Sequence, residues 1–122
     1  MAGLLEKIWQ AHGANAAEVE VQFVAEAMIC SLHEQFLQDP SPTDIITFDL
    51  GVTPDHRRLA LLCICPAVAA RHARRFHTTL RREIHRLIVH GILHLLGYDD
   101  HDPGRRRRMR YRERAILKQL AV

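Results

Sequence analysis

The sequence predicts an α+β fold, a small mixed β-sheet packed with about five helices, in one domain spanning residues 1–122. Three observations carry that reading. Residues 18–24 (EVEVQFV) alternate acid and apolar with period two, the pattern of a half-buried strand. Residues 59–65 (LALLCIC) are wholly apolar over a strand's length, as a central strand covered on both faces requires. Residues 80–96 carry apolar side chains at helical spacing, and Gly97 follows as a stop signal.

The remaining elements follow in chain order. Residues 4–11 (LLEKIWQA) have helical spacing and stop at Gly13. Ala25 to Leu37 is helical through Ala27, Met28, Leu32 and Phe36, until Asp39-Pro40-Ser41-Pro42 breaks the chain. Ile45 to Leu50 (IITFDL) is β-branched and aromatic, so a strand, and Gly51 to Arg58 is a turn. Pro66 opens the next helix, to about Phe76, because a first-turn residue needs no N–H partner. Thr78 or Thr79 caps the longest helix, whose inward stripe is Leu80, Ile84, Leu87, Ile88, Gly91, Ile92 and Leu95. Asp99 to Pro103 is a polar loop. Gly104 to about Leu120 is the last helix, with Met109, Ile116, Leu117 and Leu120 inward. The order is αβαββααα.

Composition narrows the class. Hydrophobic content of 48% and charged content of 25% exclude disordered, collagen-like and fibrous chains. No apolar run approaches the ~20 residues that span a bilayer. The start, MAGLLEK, has neither a basic leader nor a long apolar core, so a cytoplasmic location with no membrane partner is expected. Cys30, Cys63 and Cys65 are an odd count without a C-x-x-C, and they read as buried, reduced thiols. The net charge of +3 hides a split. Residues 1–56 hold Lys7 against nine acids, whereas residues 57–122 hold all fifteen arginines and Lys118 against five acids. Such asymmetry points to a polyanion, most often nucleic acid. The plainer alternatives are neutralisation of one half by the other, or a solvated helix face at Arg105-Arg106-Arg107-Arg108.

Two of nine histidines carry most of the chemistry. His90 and His94 stand at i and i+4, where two imidazoles on one helix face can share a zinc ion. Gly97 lets the chain turn back, and a third ligand can come from Asp99, Asp100 or His101. This H-x-x-x-H-x-x-G layout is that of metzincin zinc hydrolases. Those peptidases carry Glu after the first His as general base, but Gly91 stands there, so a peptidase mechanism is disfavoured. A glycine in mid-helix suits a place of close approach. His12, His33, His56, His72 and His77 read as surface residues, and His85 lies well round the helix from the pair.

The stretch HGILHLLGYDD resembles the hallmark of the YbeY family of bacterial metal-dependent endoribonucleases. Pro42-Thr43-Asp44-Ile45-Ile46-Thr47-Phe48 is similar to the family's P-T-D-V-L-S-F strand. Leu59 to Ala69 resembles its next strand and helix start, and Met109 and Glu113 its last-helix Met and acidic positions. The likeness covers about residues 18–118. It implies one Zn2+ ion and hydrolysis of single-stranded RNA by metal-activated water, in ribosomal RNA maturation and ribosome quality control. Ribosomal RNA and the small ribosomal subunit are the implied partners, and no DNA is expected.

His90 and His94 carry over as ligands. The family's third histidine falls on Asp100 here, with His101 one residue beyond as the alternative. Asp is a sound zinc ligand. An Asn and an Arg of the family fall on His33 and Leu37, so a phosphate-binding cation must come from elsewhere. Arg57, Arg58 and the Arg105–Arg110 run, particularly Arg105, Arg106 and Arg108, are the candidates. Two other functions remain compatible with these residues. One is a ribosome-associated RNA-binding factor with a mainly structural zinc, and the other is a zinc hydrolase of non-RNA substrates.

Overall fold

A computed structural model describes residues 17–119. The helix expected over residues 4–11 and the inward Leu120 lie outside the described residues. Three strands, β1 (Ala17–Phe23), β2 (Ile45–Val52) and β3 (Arg58–Ile64), form one sheet in the order β1-β3-β2. β1 runs parallel to β3 and β2 antiparallel to it, so the sheet is mixed as expected. Four helices are described: α1 (Glu26–Leu37), α2 (Pro66–Arg75), α3 (Leu80–Leu95) and α4 (Pro103–Gln119).

The apolar run of β3 is explained by its central place. Leu62 and Ile64 point to one face, into a core with Leu87, Ile88, Ile92 and Leu93 of α3 and Met109 and Ile116 of α4. Cys63 and Cys65 belong to the other face, with Ile29 of α1, Ile46 and Val68. Alternate residues of one strand therefore serve two cores. The three cysteines are free thiols, Cys63 and Cys65 buried and Cys30 half-buried, and burial pushes the Cys63 pKa up.

Several boundaries move. β2 runs on past Leu50 to Val52, because a bulge between Asp49 and Gly51 keeps the ladder in register. The turn shrinks to residues 53–57, where the Thr53 N–H donates to the Arg57 carbonyl at 2.7 Å. In α1 the inward residues are Ile29 and Leu32, while Met28 and Phe36 stand about half exposed. The helix meets the sheet along this one line, against Ile46 of β2 and Cys63 of β3, so a narrow apolar stripe suffices. Leu80 of the α3 stripe is also exposed, and buried Glu83 takes an inward place in its stead.

Thr79, not Thr78, caps α3 by accepting the Arg82 N–H at 3.2 Å. Its far end closes as a Schellman turn: the Gly97 N–H donates to the His94 carbonyl at 3.1 Å and the Tyr98 N–H to Leu93 at 3.0 Å. Gly97 sits at φ +100°, the left-handed conformation that glycine adopts at no steric cost. Asp102 then caps α4 by accepting the Arg105 N–H at 2.8 Å.

Gly91 marks where α3 touches the sheet. A Cβ there would meet Leu62 at 3.0 Å, Thr47 at 3.1 Å and Ile45 at 3.3 Å. The close approach expected at this glycine is thus made by the sheet. Gly91→Leu should overpack that contact and destabilise the fold by about 2–3 kcal/mol in urea titration. A midpoint unchanged from wild type would show that the contact yields freely.

Candidate metal centre

α3 carries His90 and His94 one turn apart on the face that looks toward α4 and the loop before it. Their Nε2 atoms lie 3.1 Å apart. The rings meet edge to face, with centroids 4.7 Å apart. The Schellman turn folds the chain back so that Asp100 joins them, and the three ligand-capable atoms lie within 4.8 Å of one another. His101 is exposed and outside this group.

The orientation of His90 is set from behind. Its Nδ1–H donates to the carboxylate of Glu113, which is buried on α4. That turns Nε2 toward Asp100 and toward His94, whose Nε2 is its hydrogen-bond partner. Burial, reinforced by the neighbouring His90, holds the His94 pKa below its ordinary value and favours the neutral, ligating form. Glu113 in turn lies 3.5 Å from Arg86 Nη1, and Arg86 binds buried Glu83 through Nη2 at 2.6 Å and Nε at 3.1 Å. A continuous polar chain, Glu83–Arg86–Glu113–His90, therefore supports the site from within.

A cavity of about 190 Å³ opens onto His90 and Asp100, lined also by Arg86, Arg106, Met109, Arg110 and Glu113. Of the five arginines singled out from sequence, Arg106 is the one that lines it. Arg105 binds Asp99 at 3.2 Å and, with Arg108, borders a separate cleft of about 410 Å³ beside Tyr98. Arg57 pairs with Glu18 at 2.7 Å and Asp55 at 3.0 Å, and Arg58 with Asp49 at 2.6 Å. Those two charges are matched by the acids of the N-terminal half, on the strands and their hairpin. Asp99 serves the loop, accepting the His101 N–H at 3.1 Å and the Arg105 guanidinium.

Sequence reasoning passed over Arg86 and the burial of Glu83. It also passed over a second grouping, Asp44, His72 and Glu83, whose ligand-capable atoms again lie within 4.8 Å. There His72 Nδ1 lies 3.1 Å from Asp44, so His72 is a partnered residue rather than a bare surface one. Glu83 is already bound by Arg86 on both oxygens, which makes this grouping a hydrogen-bonded brace. Only its tertiary context reveals it. His85, as expected, stays off the site and donates to the Arg81 carbonyl at 2.7 Å. None of the described helices is long and apolar enough to cross a membrane.

The fold and this group define an α+β domain in which α3 and its following loop converge two imidazoles and one carboxylate, a donor set that fits a single divalent metal ion. Of the described helices, α4 with 17 residues is one longer than α3 with 16, so α3 is not the longest as its sequence suggested. The family model for endoribonuclease YbeY matches residues 2–121. The chain belongs to the YbeY family. It is 37% identical over 116 residues to an endoribonuclease YbeY from Chlorobium luteolum, covering 95% of this chain and 83% of the relative. A second relative of that name, from Parabacteroides distasonis, is 33% identical over 117 residues, covering 96% and 81%. The solution structure of TM1509 from Thermotoga maritima superposes with a TM-score of 0.65 at 26% identity, over 98% of this chain and 81% of the other.

Proposed function

We propose that this single-domain protein is a zinc-dependent endoribonuclease that cuts single-stranded RNA in ribosomal RNA maturation and quality control on the small ribosomal subunit, in the cytoplasm. The observation that carries the reading is the convergence of two Nε2 atoms and an exposed carboxylate beside an open cavity. Structural zinc sites are closed tetrahedra, whereas catalytic ones use three protein ligands and keep a position open.

His90, His94 and Asp100 would hold the ion. Zinc bound there would supply Lewis acidity toward a phosphoryl oxygen and make water nucleophilic near neutral pH. The other roles belong to the chain itself. Glu113 holds the Nδ1 proton of His90 and fixes its ring. Arg106 and Arg110 present guanidinium charge along the cavity wall, suited to the oxygens of a backbone phosphate and indifferent to base identity. The side of α3 at Gly91 faces the sheet, so a carboxylate base placed there would not reach the cavity.

Labelled single-stranded RNA, incubated with the zinc-loaded protein and with chelator, tests this reading. Cleavage should need the metal, and zinc at about a hundred times its Kd should stabilise the fold by up to about 2.7 kcal/mol. Equal cleavage with excess chelator would overturn it. Metal-dependent stability without any RNA cleavage would favour the structural-zinc reading.

A further inference from the structure

Some of the fifteen arginines are matched by acids and others are not. Arg57, Arg58, Arg71, Arg86 and Arg105 each meet a carboxylate. Arg82, Arg110 and Arg114 have no carboxylate partner among the described residues, yet all three line one groove. The groove, about 630 Å³, lies between α3 and α4 and shares Arg86, Arg110 and Glu113 with the cavity at His90. Along α3 it is lined by Arg82, Glu83 and Arg86, the glutamate being paired with Arg86, and His90 follows one turn on in the adjoining cavity. From His90 to Arg82 is two turns, about 12 Å.

At the far end stands Phe76. α2 ends at Arg75, His77 takes a left-handed φ of 55°, and the chain turns sharply into α3. Phe76 is left 66% exposed, with the Arg75 guanidinium 5.6 Å from its ring centroid. An exposed ring in a cationic groove is the arrangement by which single strands are held, a base on the ring and phosphates on the guanidiniums. We propose that this groove seats the RNA segment that flanks the bond to be cut, with Arg82 and Arg114 each on a neighbouring phosphate and Phe76 beneath a base. The proposal rests on the nuclease reading for its ligand, but it concerns binding and is measured apart from cleavage.

Fluorescence anisotropy with labelled oligoribonucleotides of two and eight residues, in chelator so that nothing is cut, reads the groove directly. Wild type should bind the longer strand tighter. Phe76→Ala should lose about tenfold of that gain, Phe76→Trp should keep it, and Phe76→Leu should behave as the alanine variant. Arg82→Ala with Arg114→Ala should reduce the slope of log affinity against log salt by about 1.4, two single-strand phosphate contacts. Thermal melts identical to wild type show that the variants fold.

Unchanged affinity and salt slope in folded variants overturn the groove and leave the nuclease reading standing. Polyglutamate competing as well as RNA overturns it too, in favour of an acidic protein partner. Binding that shows the stated dependence in a protein that never cuts RNA keeps the groove and removes the nuclease. Wild type that binds neither strand removes both.

Discussion

Replacing His94 with alanine is expected to eliminate zinc retention and RNA cleavage together, the second by at least about 10³-fold. That size follows from losing the main electrophile of the site, since a single preorganised donor is already worth ~10²–10³ in rate. The metal-free fold should barely notice. His94 is half-buried at the helix end and its side-chain partner is His90, so stability without zinc should stay within about 1 kcal/mol of wild type. Metal content by elemental analysis, a gel-based cleavage assay and urea titration in chelator measure the three quantities. A folded, zinc-free variant that still cuts RNA would remove the metal from the chemistry.

Glu113→Ala should have the second largest effect, and a double one. Glu113 is buried, donates nothing, and accepts from His90 on one side while facing Arg86 on the other. Removing one partner of a buried pair costs about 3–5 kcal/mol. Here Arg86 is partly exposed and keeps Glu83, so about 2 kcal/mol is expected in urea titration of the chelated protein. Zinc affinity should also fall about 10–100-fold, because the ring of His90 loses the acceptor that orients it. Glu113→Gln, with an acceptor of the same shape, should recover part of the affinity. Zinc affinity equal to wild type in Glu113→Ala would reduce the residue to a structural role.

Local chemistry made much of this protein readable from its residues. The apolar run of β3 announced a strand with two covered faces, and Leu62 and Cys63 do face opposite cores. The spacing of His90, His94 and Gly97 contains a helix face and its stop, both determined within a few residues. The loop after Gly97 offered Asp99, Asp100 and His101 alike, and it was the resemblance to the YbeY family that pointed to Asp100, whose carboxylate lies in the group with the two imidazoles. What stayed hidden depends on pairs far apart in the chain. Arg86 stands only three residues from Glu83, but such a pair is ordinary on an exposed helix face, and what buries the glutamate is the packing of α2 and α4 around it. The excess of arginine in the second half could not be sorted until the strands brought Glu18 and Asp49 to Arg57 and Arg58. Gly91 suggested close approach but not by what.

The turn at Gly97 has an entropic consequence for the metal. It brings the third donor back after roughly ten residues from the first, so closing the triad costs about 2 kcal/mol of chain entropy beyond a constant term. A loop this short can also close in the unfolded chain, which would then retain some affinity for zinc. An ion held by His90, His94 and Asp100 would act as a local clasp on one helix end, not as a rivet between distant parts of the fold. Zinc should therefore protect the amides of residues 94–102 from hydrogen exchange more than those of the central strand, whose order is already secured by its two cores.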